Sequence, residues 1–235
     1  MEPRGFAELV RWALGAQPDP PLWLIPATGV IALAVVLYWP AWRVARNVIT
    51  IVHEGGHASA ALLTGRRLRG IRLHSDTSGV TVSVGRPTGL GMIVTVFAGY
   101  TAPSAVGVAY AAVLALDRVT LLLWGSIGLL ALLLLAIRNM FGVFAVVATG
   151  GLVFAVSWFG SVLVQSGFAY LTWFLLLGGV WPVLELQRKR RRRQAPDSDA
   201  DQLSRLTGVA GMVWVVVFGL FAVGAAVLGG RWLLL

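Results

Sequence analysis

Residues Val44 to Leu63 read V-A-R-N-V-I-T-I-V-H-E-G-G-H-A-S-A-A-L-L, an apolar stretch of membrane-span length with His53, Glu54 and His57 near its middle. On a helix, H-E-x-x-H sets two imidazoles four residues apart on one face, where they can share one Zn²⁺, and puts a carboxylate beside the metal as general base. Ionisable groups near the centre of a membrane helix cost at least about 2.5 to 3.5 kcal/mol each, so three neighbours in one span call for a function. The plainer alternative is a decayed site, or a polar cluster that only bonds neighbouring helices. Gly55 and Gly56 are each about 1 kcal/mol poorer than Ala in a helix. They read either as close helix packing or as room for a substrate backbone, lining the site beside the metal.

The composition fits this placement. Of 235 residues, 57% are hydrophobic and 12% charged, against about 25% charged in ordinary soluble domains. This is the balance of an integral membrane protein, and the spans leave little chain for a second, soluble domain, so 1–235 reads as a single membrane-embedded unit. The chain has no cysteine, which excludes a disulfide framework, a thiolate metal site and a Cys nucleophile. A metal would be held by N and O ligands. The net charge of +9 does not indicate nucleic acid, because the basic residues fall mostly between apolar segments, where membrane topology explains them.

Apolar segments follow one another along the chain: Leu22 to Trp39, Val44 to Leu63, Gly91 to Leu116, Val119 to Ile137, Val143 to Val164, Phe168 to Leu186 and Val209 to Leu228. Between the second and third, Leu68 to Val84 alternates in short period, with Ser75 to Gly79 as turn material, and reads as a β-hairpin against the membrane face. The expected fold is an all-α integral membrane protein of about six or seven transmembrane helices, with a small membrane-associated β-hairpin after the H-E-x-x-H helix. The first 21 residues read as an interfacial segment, in which Phe6, Leu9, Val10 and Leu14 could line one face of a short helix. They lack the apolar core and cleavage site of a signal peptide.

Orientation comes from Arg188-Lys189-Arg190-Arg191-Arg192-Arg193, which opens the polar loop 187–205 and sets it in the cytoplasm by the positive-inside rule. Counting back over seven spans puts the Arg-rich hairpin and the amino terminus on the same cytoplasmic side. The same basic run is expected to meet anionic lipid.

A catalytic zinc takes three protein ligands and keeps one position open, so His53 and His57 need a partner. His74 and Asp76 lie on the hairpin, Asp117 in a turn on the opposite side, and Asn139 at a span end, where an amide is a weak ligand and reads as site-lining. The acidic cluster Asp197, Asp199 and Asp201 is the best remaining source, although Ser198 or Asp199 could equally be the N-cap of a helix starting near Ala200.

The H-E-G-G-H span, the Arg-rich hairpin and Phe97-Ala98-Gly99-Tyr100-Thr101-Ala102-Pro103 together resemble the site-2 protease family of intramembrane zinc metalloproteases. Ala136 to Gly142 (A-I-R-N-M-F-G) and Ser198 to Leu203 (S-D-A-D-Q-L), before Leu206-Thr207-Gly208, look like its compact bacterial branch. The family's third ligand is an aspartate in an L-D-G motif that this sequence lacks. The resemblance makes Asp199 of Ser198-Asp199-Ala200 the nearest substitute, and it matches Gly99 to Pro103 to the segment that packs against the catalytic helix. It implies an inner-membrane zinc endopeptidase in which Glu54 is catalytic, His53, His57 and Asp199 hold Zn²⁺, and the substrate is another membrane protein. A catalytically inactive scaffold of the same fold is the alternative, and a proton or metal relay transporter a more distant one.

Overall fold

Helix α2, Trp39–Leu63, is the element around which the site is built. In the computed structural model, which describes residues 15–195 and 197–235, it runs for 25 residues from Pro40 in its first turn to Thr64, whose hydroxyl donates back to Ala60 O at 2.7 Å. Gly65 then turns the chain out with a positive φ of 73°. The expected interfacial helix at Phe6 to Leu14 lies outside the described residues.

Before α2 comes α1, Leu24–Leu37, and the two meet at Tyr38 with a bend of 102°. At 1.5 Å per residue, α1 is only about 21 Å long, short of the roughly 30 Å hydrocarbon core. The pair thus makes one excursion rather than the two separate spans read from sequence. Downstream, α3 (Leu90–Leu114), α4 (Val119–Ala136), α5 (Met140–Phe159), the nearly continuous α6 (Val162–Tyr170) and α7 (Thr172–Arg191), and α9 (Gly211–Leu234) are long and apolar enough to cross a membrane. The described residues therefore hold five such spans, or six with the bent pair. Of the six or seven expected, the lower number is met when the bent pair counts as one span, because apolar length alone does not reveal a bend. The fifth span also ends earlier than its apolar run, at Gly160, where the chain breaks before Ser161 caps α6.

The bend also moves the preceding chain. Gln17 N donates to Asp117 O at 2.8 Å, and Gln17 Oε1 accepts from Thr120 N at 2.9 Å, which ties residues 15–20 to the α3–α4 turn. That turn lies at the end of the bundle opposite the hairpin. Counting over seven spans had put the amino-terminal segment on the hairpin side; with α1 and α2 as one excursion, these residues belong to the other end.

Strands β1 (Arg67–Leu73) and β2 (Gly79–Val84) pair antiparallel, Leu73 opposite Gly79. Asp76 Oδ1 accepts from both Ser78 Oγ (2.6 Å) and Ser78 N (2.9 Å), closing the turn, and these bonds hold the Asp76 carboxyl below its ordinary pKa. The hairpin packs on the helices along one face. Its buried Ile71 and Leu73 pack with Ile51, Ala58, Ile137 and Val146, and its tip runs back beside α2 until Thr77 O accepts from Thr50 Oγ1 at 2.9 Å. Thr50 stands 13 residues, about 20 Å along the axis, before the end of α2. The hairpin thus enters the bundle, because one face of its alternating pattern has a helical core to bury against.

The far edge of β1 is also covered. Ile71 bridges Ile137, and Arg138 N donates to Ile71 O at 2.8 Å. Asn139 completes this edge with both ends of its amide. Its Oδ1 accepts from Leu73 N at 3.1 Å and its Nδ2 donates to Leu73 O at 2.6 Å, as a neighbouring strand would. Gly70, at a bulge with φ 150°, lets the Arg138 side chain lie across the strand.

Candidate metal centre

His53 and His57 stand one turn apart on α2, and α8 (Asp199–Thr207) brings Asp199 to meet them. The three donor atoms form a nearly equilateral triangle: His53 Nε2 to His57 Nε2 is 3.1 Å, His57 Nε2 to Asp199 Oδ2 is 3.3 Å, and His53 Nε2 to Asp199 Oδ2 is 3.4 Å. Ligands at about 2.0 to 2.1 Å around a tetrahedral zinc would be separated by about 3.3 Å.

The protonation pattern makes the same point. His57 Nδ1 lies 2.7 Å from the carbonyl oxygen of Thr95, which only accepts, so Nδ1 carries a proton, and in the neutral ring Nε2 presents a lone pair. That lone pair faces the Asp199 carboxylate and the His53 ring nitrogen. Asp199 Oδ2 is itself buried with no hydrogen-bond donor among the described residues. Two imidazole nitrogens and one carboxylate oxygen converging at this spacing suit a cation, and the donor set suits Zn²⁺. The Thr95 carbonyl is the partner that orients a ligating histidine.

Local sequence explains why the third donor arrives here. Ser198 is the N-cap of α8, its Oγ accepting from Asp201 N at 3.4 Å, and this leaves Asp199 as the first helical residue with a free side chain. Ala200 and Leu203 are fully buried against Val183, Val215 and Phe218, fixing which face of α8 turns inward. Gly99 of α3 makes the space, since a Cβ there would stand 2.8 Å from Asp199 Oδ2 and would collide with the His57 ring. The other two acids point elsewhere: Asp201 pairs with Arg190, and Asp197 with Arg205 at 3.2 Å on the surface.

Glu54 is buried beside the triangle. Its Oε2 accepts from Thr81 Oγ1 of β2 at 2.6 Å, and Gly79 leaves room for it, because a Cβ there would stand 2.6 Å from Glu54 Oε1. A polar cavity of about 320 Å³ opens onto these groups, bounded by β2 on one side and by Tyr100, Ser198 and Gln202 on another.

A family model described as Peptidase M50B-like matches residues 26–229. The chain belongs to the site-2 protease family. Members of this family are zinc metalloproteases. No curated protein and no solved structure matches the chain.

Other residues of this M50B-like chain fall differently from their reading in sequence. Asn139 is engaged at Leu73 rather than lining the polar cavity, since its amide serves as the missing edge of β1. Gly55 and Gly56 face away from the imidazoles and border a separate apolar cavity of about 920 Å³ lined by residues of α1 to α7. Gly56 is closed against α3, where a Cβ would stand 2.7 Å from Ala98 O, whereas at Gly55 a Cβ would make an ordinary 3.6 Å contact with Leu133. His74 bonds Ser78 within the hairpin turn at 3.2 Å, and Asp117 sits at the opposite end of the bundle. Sequence reasoning missed Thr81, Thr95 and Tyr100. Thr81 and Thr95 are ordinary residues of a strand and a helix until the fold presents them. Tyr100 stands edge-on to His53 with centroids 5.0 Å apart and stacks on Phe218. Its signal was its place in the Gly99 to Pro103 segment.

Proposed function

We propose that this chain is an intramembrane zinc metalloendopeptidase that hydrolyses peptide bonds in, or next to, membrane-embedded segments of other proteins. The observation that carries the reading is the meeting of His53, His57 and Asp199 donor atoms beside the buried carboxylate of Glu54, all within a bundle of apolar helices. In this reading His53, His57 and Asp199 hold the ion. Zinc, when bound, supplies Lewis-acid polarisation of a carbonyl and acidifies water.

The chain supplies the rest. Thr81 occupies Glu54 Oε2 and orients the carboxylate, which leaves Oε1 to take the proton from attacking water and pass it to the leaving amine. Thr95 locks the His57 tautomer. Among the described residues β2 has a strand partner only along its β1 edge, and β1 is closed on its far side by Ile137 to Asn139. The remaining β2 edge borders the polar cavity, which suits an extended peptide laid along it with one bond beside Glu54. A helical segment would have to unwind there to expose that bond. The concentration of Arg66, Arg67, Arg69, Arg72 and the Arg188 to Arg193 run at this end supports a cytoplasmic position for the cavity mouth, with water reaching it from that side.

The test is zinc content of the detergent-purified full-length protein, paired with the membrane proteome of cells carrying each variant. One zinc per chain in wild type and in Glu54→Gln, lost in His53→Ala and Asp199→Ala, is the expected pattern. Cells carrying Glu54→Gln should accumulate an uncleaved membrane protein. A folded wild type that takes up no zinc would overturn the peptidase reading; zinc retained with no difference between wild-type and Glu54→Gln proteomes would favour the inactive scaffold.

A further inference from the structure

Five of the six basic residues from Arg188 to Arg193 are exposed. Arg190 is the exception. Its side chain is 20% exposed and turns under the first turn of α8, where Nη1 donates to Ser198 Oγ at 3.2 Å and forms an ion pair with Asp201. Ser198 Oγ in turn donates to Asp201 Oδ2 at 2.6 Å, so one guanidinium, the N-cap hydroxyl and the carboxylate three residues later form a closed set. Asp199 lies between the two residues that are held.

The space for this arrangement comes from the start of α9. A Cβ on Gly211 would stand 2.5 Å from Arg190 Nη2 and 3.2 Å from Ala200 O, so a side chain there would push the guanidinium aside from its place between α7, α8 and α9. The buried Ala200 and Leu203 fix the axis of α8, but they leave its amino-terminal turn at the end of a polar linker. A nine-residue helix gains little rigidity from its own backbone.

We propose that Arg190 is a positioning residue for the metal centre: by clamping Ser198 and Asp201 to the end of α7, it holds Asp199 Oδ2 against the His53–His57 pair. This inference rests on the reading of Asp199 as a ligand. It assigns a single member of the basic run to the site and leaves the others to the lipid surface.

The experiment is zinc affinity of the full-length protein in detergent, measured by competition with a chromogenic chelator, with helix content followed by circular dichroism. Arg190→Ala and Gly211→Ala each break the clamp by a different route, one by removing the guanidinium and the other by displacing it. Each is expected to weaken zinc binding about 10- to 100-fold, the range for partners that orient a ligand, at unchanged helix content. Arg190→Lys should fall between wild type and Arg190→Ala, because an ammonium replaces the charge but not the fork. Adding Asp201→Asn to Arg190→Ala should cause no further loss beyond about twofold, since both act through one set of contacts. Arg192→Ala, in the exposed part of the run, should bind zinc as wild type does.

Zinc affinity within about twofold of wild type in both Arg190→Ala and Gly211→Ala, while Asp199→Ala loses the ion, would overturn the clamp and leave the ligand set standing. Undiminished affinity in Asp199→Ala itself would instead remove the ligand assignment on which the clamp depends.

Discussion

The two faces of helix α2 are built for opposite purposes. On one, His53, Glu54 and His57 meet groups contributed by three other elements: Thr95 from α3, Thr81 from β2 and Asp199 from α8. On the other, Val48, Val52, Gly55 and Ser59 border an apolar cavity of about 920 Å³ that offers them no polar partner of comparable strength. The difference shows how charged groups persist at membrane depth. They survive where neighbouring elements supply fixed partners and a polar cavity, and the same helix a half-turn away borders only an apolar one. The hairpin makes this asymmetry possible by carrying hydroxyl groups into the bundle on one side of α2 only.

The largest effect should come from the polar face. Glu54→Gln keeps the shape of the side chain and its contact with Thr81, but removes the proton acceptor. Peptide hydrolysis is expected to fall by about 10² to 10⁴, the contribution typical of a positioned general base, while zinc stays bound. A single-turnover assay on a membrane-protein substrate found through the Glu54→Gln proteome would measure it. Retention of more than a tenth of the wild-type rate would remove Glu54 as the base and make the two faces chemically less different than they look.

Next comes the seam between the faces. A Cβ at Gly56 would stand 2.7 Å from Ala98 O and would strike the Ala102 methyl, so Gly56→Val forces α2 and α3 apart. Overpacking of this kind costs about 1 to 3 kcal/mol. Because His57 Nδ1 is anchored to Thr95 on the same α3, the displacement should also weaken zinc binding. A drop in thermal midpoint accompanied by zinc loss checks both.

How much of this could be read from the chain depended on whether the information was local. The pairing of His53 with His57 follows from helical spacing, and the hairpin from short alternation ended by turn residues; both are properties of a few adjacent residues. Asp199 was one of several acids until the resemblance singled it out, because nothing local distinguishes it from Asp197 or Asp201; the capping of α8 by Ser198 does, and capping geometry is settled by what α8 packs on. The bend at Tyr38 escaped for a similar reason. Leu22 to Trp39 has the apolar length of a span, and only the packing of α1 across α7 and α2 shows that the chain turns instead of crossing. Asn139 was read as lining the site because it is a polar amide at a span end and a weak ligand, whereas its amide has a backbone to imitate at Leu73.

That role gives the third prediction. Asn139→Ala removes both hydrogen bonds to Leu73 and leaves its N–H and carbonyl without a partner on that edge, a loss of about 2 kcal/mol. The hairpin should loosen from its β1 side while the metal ligands stay in place, so zinc content should hold. Hydrogen exchange should accelerate at Leu73 and in β2 before it does in α2. If zinc is lost instead, Asn139 acts on the metal centre, and the hairpin is not an independent support for the polar face.

The smallest effect is expected at the residue beside Gly56. Gly55 has the same side chain and sits in the same helix, but a Cβ there meets only Leu133 Cδ1, at an ordinary 3.6 Å. Gly55→Ala should therefore relieve the backbone entropy of glycine without a clash and stabilise the protein by about 0.5 to 1 kcal/mol. Its methyl would enter the apolar cavity on the side away from His53 and His57, so zinc content should not change. Opposite signs for two adjacent glycines, measured as thermal midpoints of otherwise identical preparations, would show that Gly56 packs the helix pair and Gly55 only borders space. Should Gly55→Ala cost stability or zinc as Gly56→Val does, the cavity face is as tightly coupled to the metal centre as the seam is, and the division of α2 into two independent faces fails.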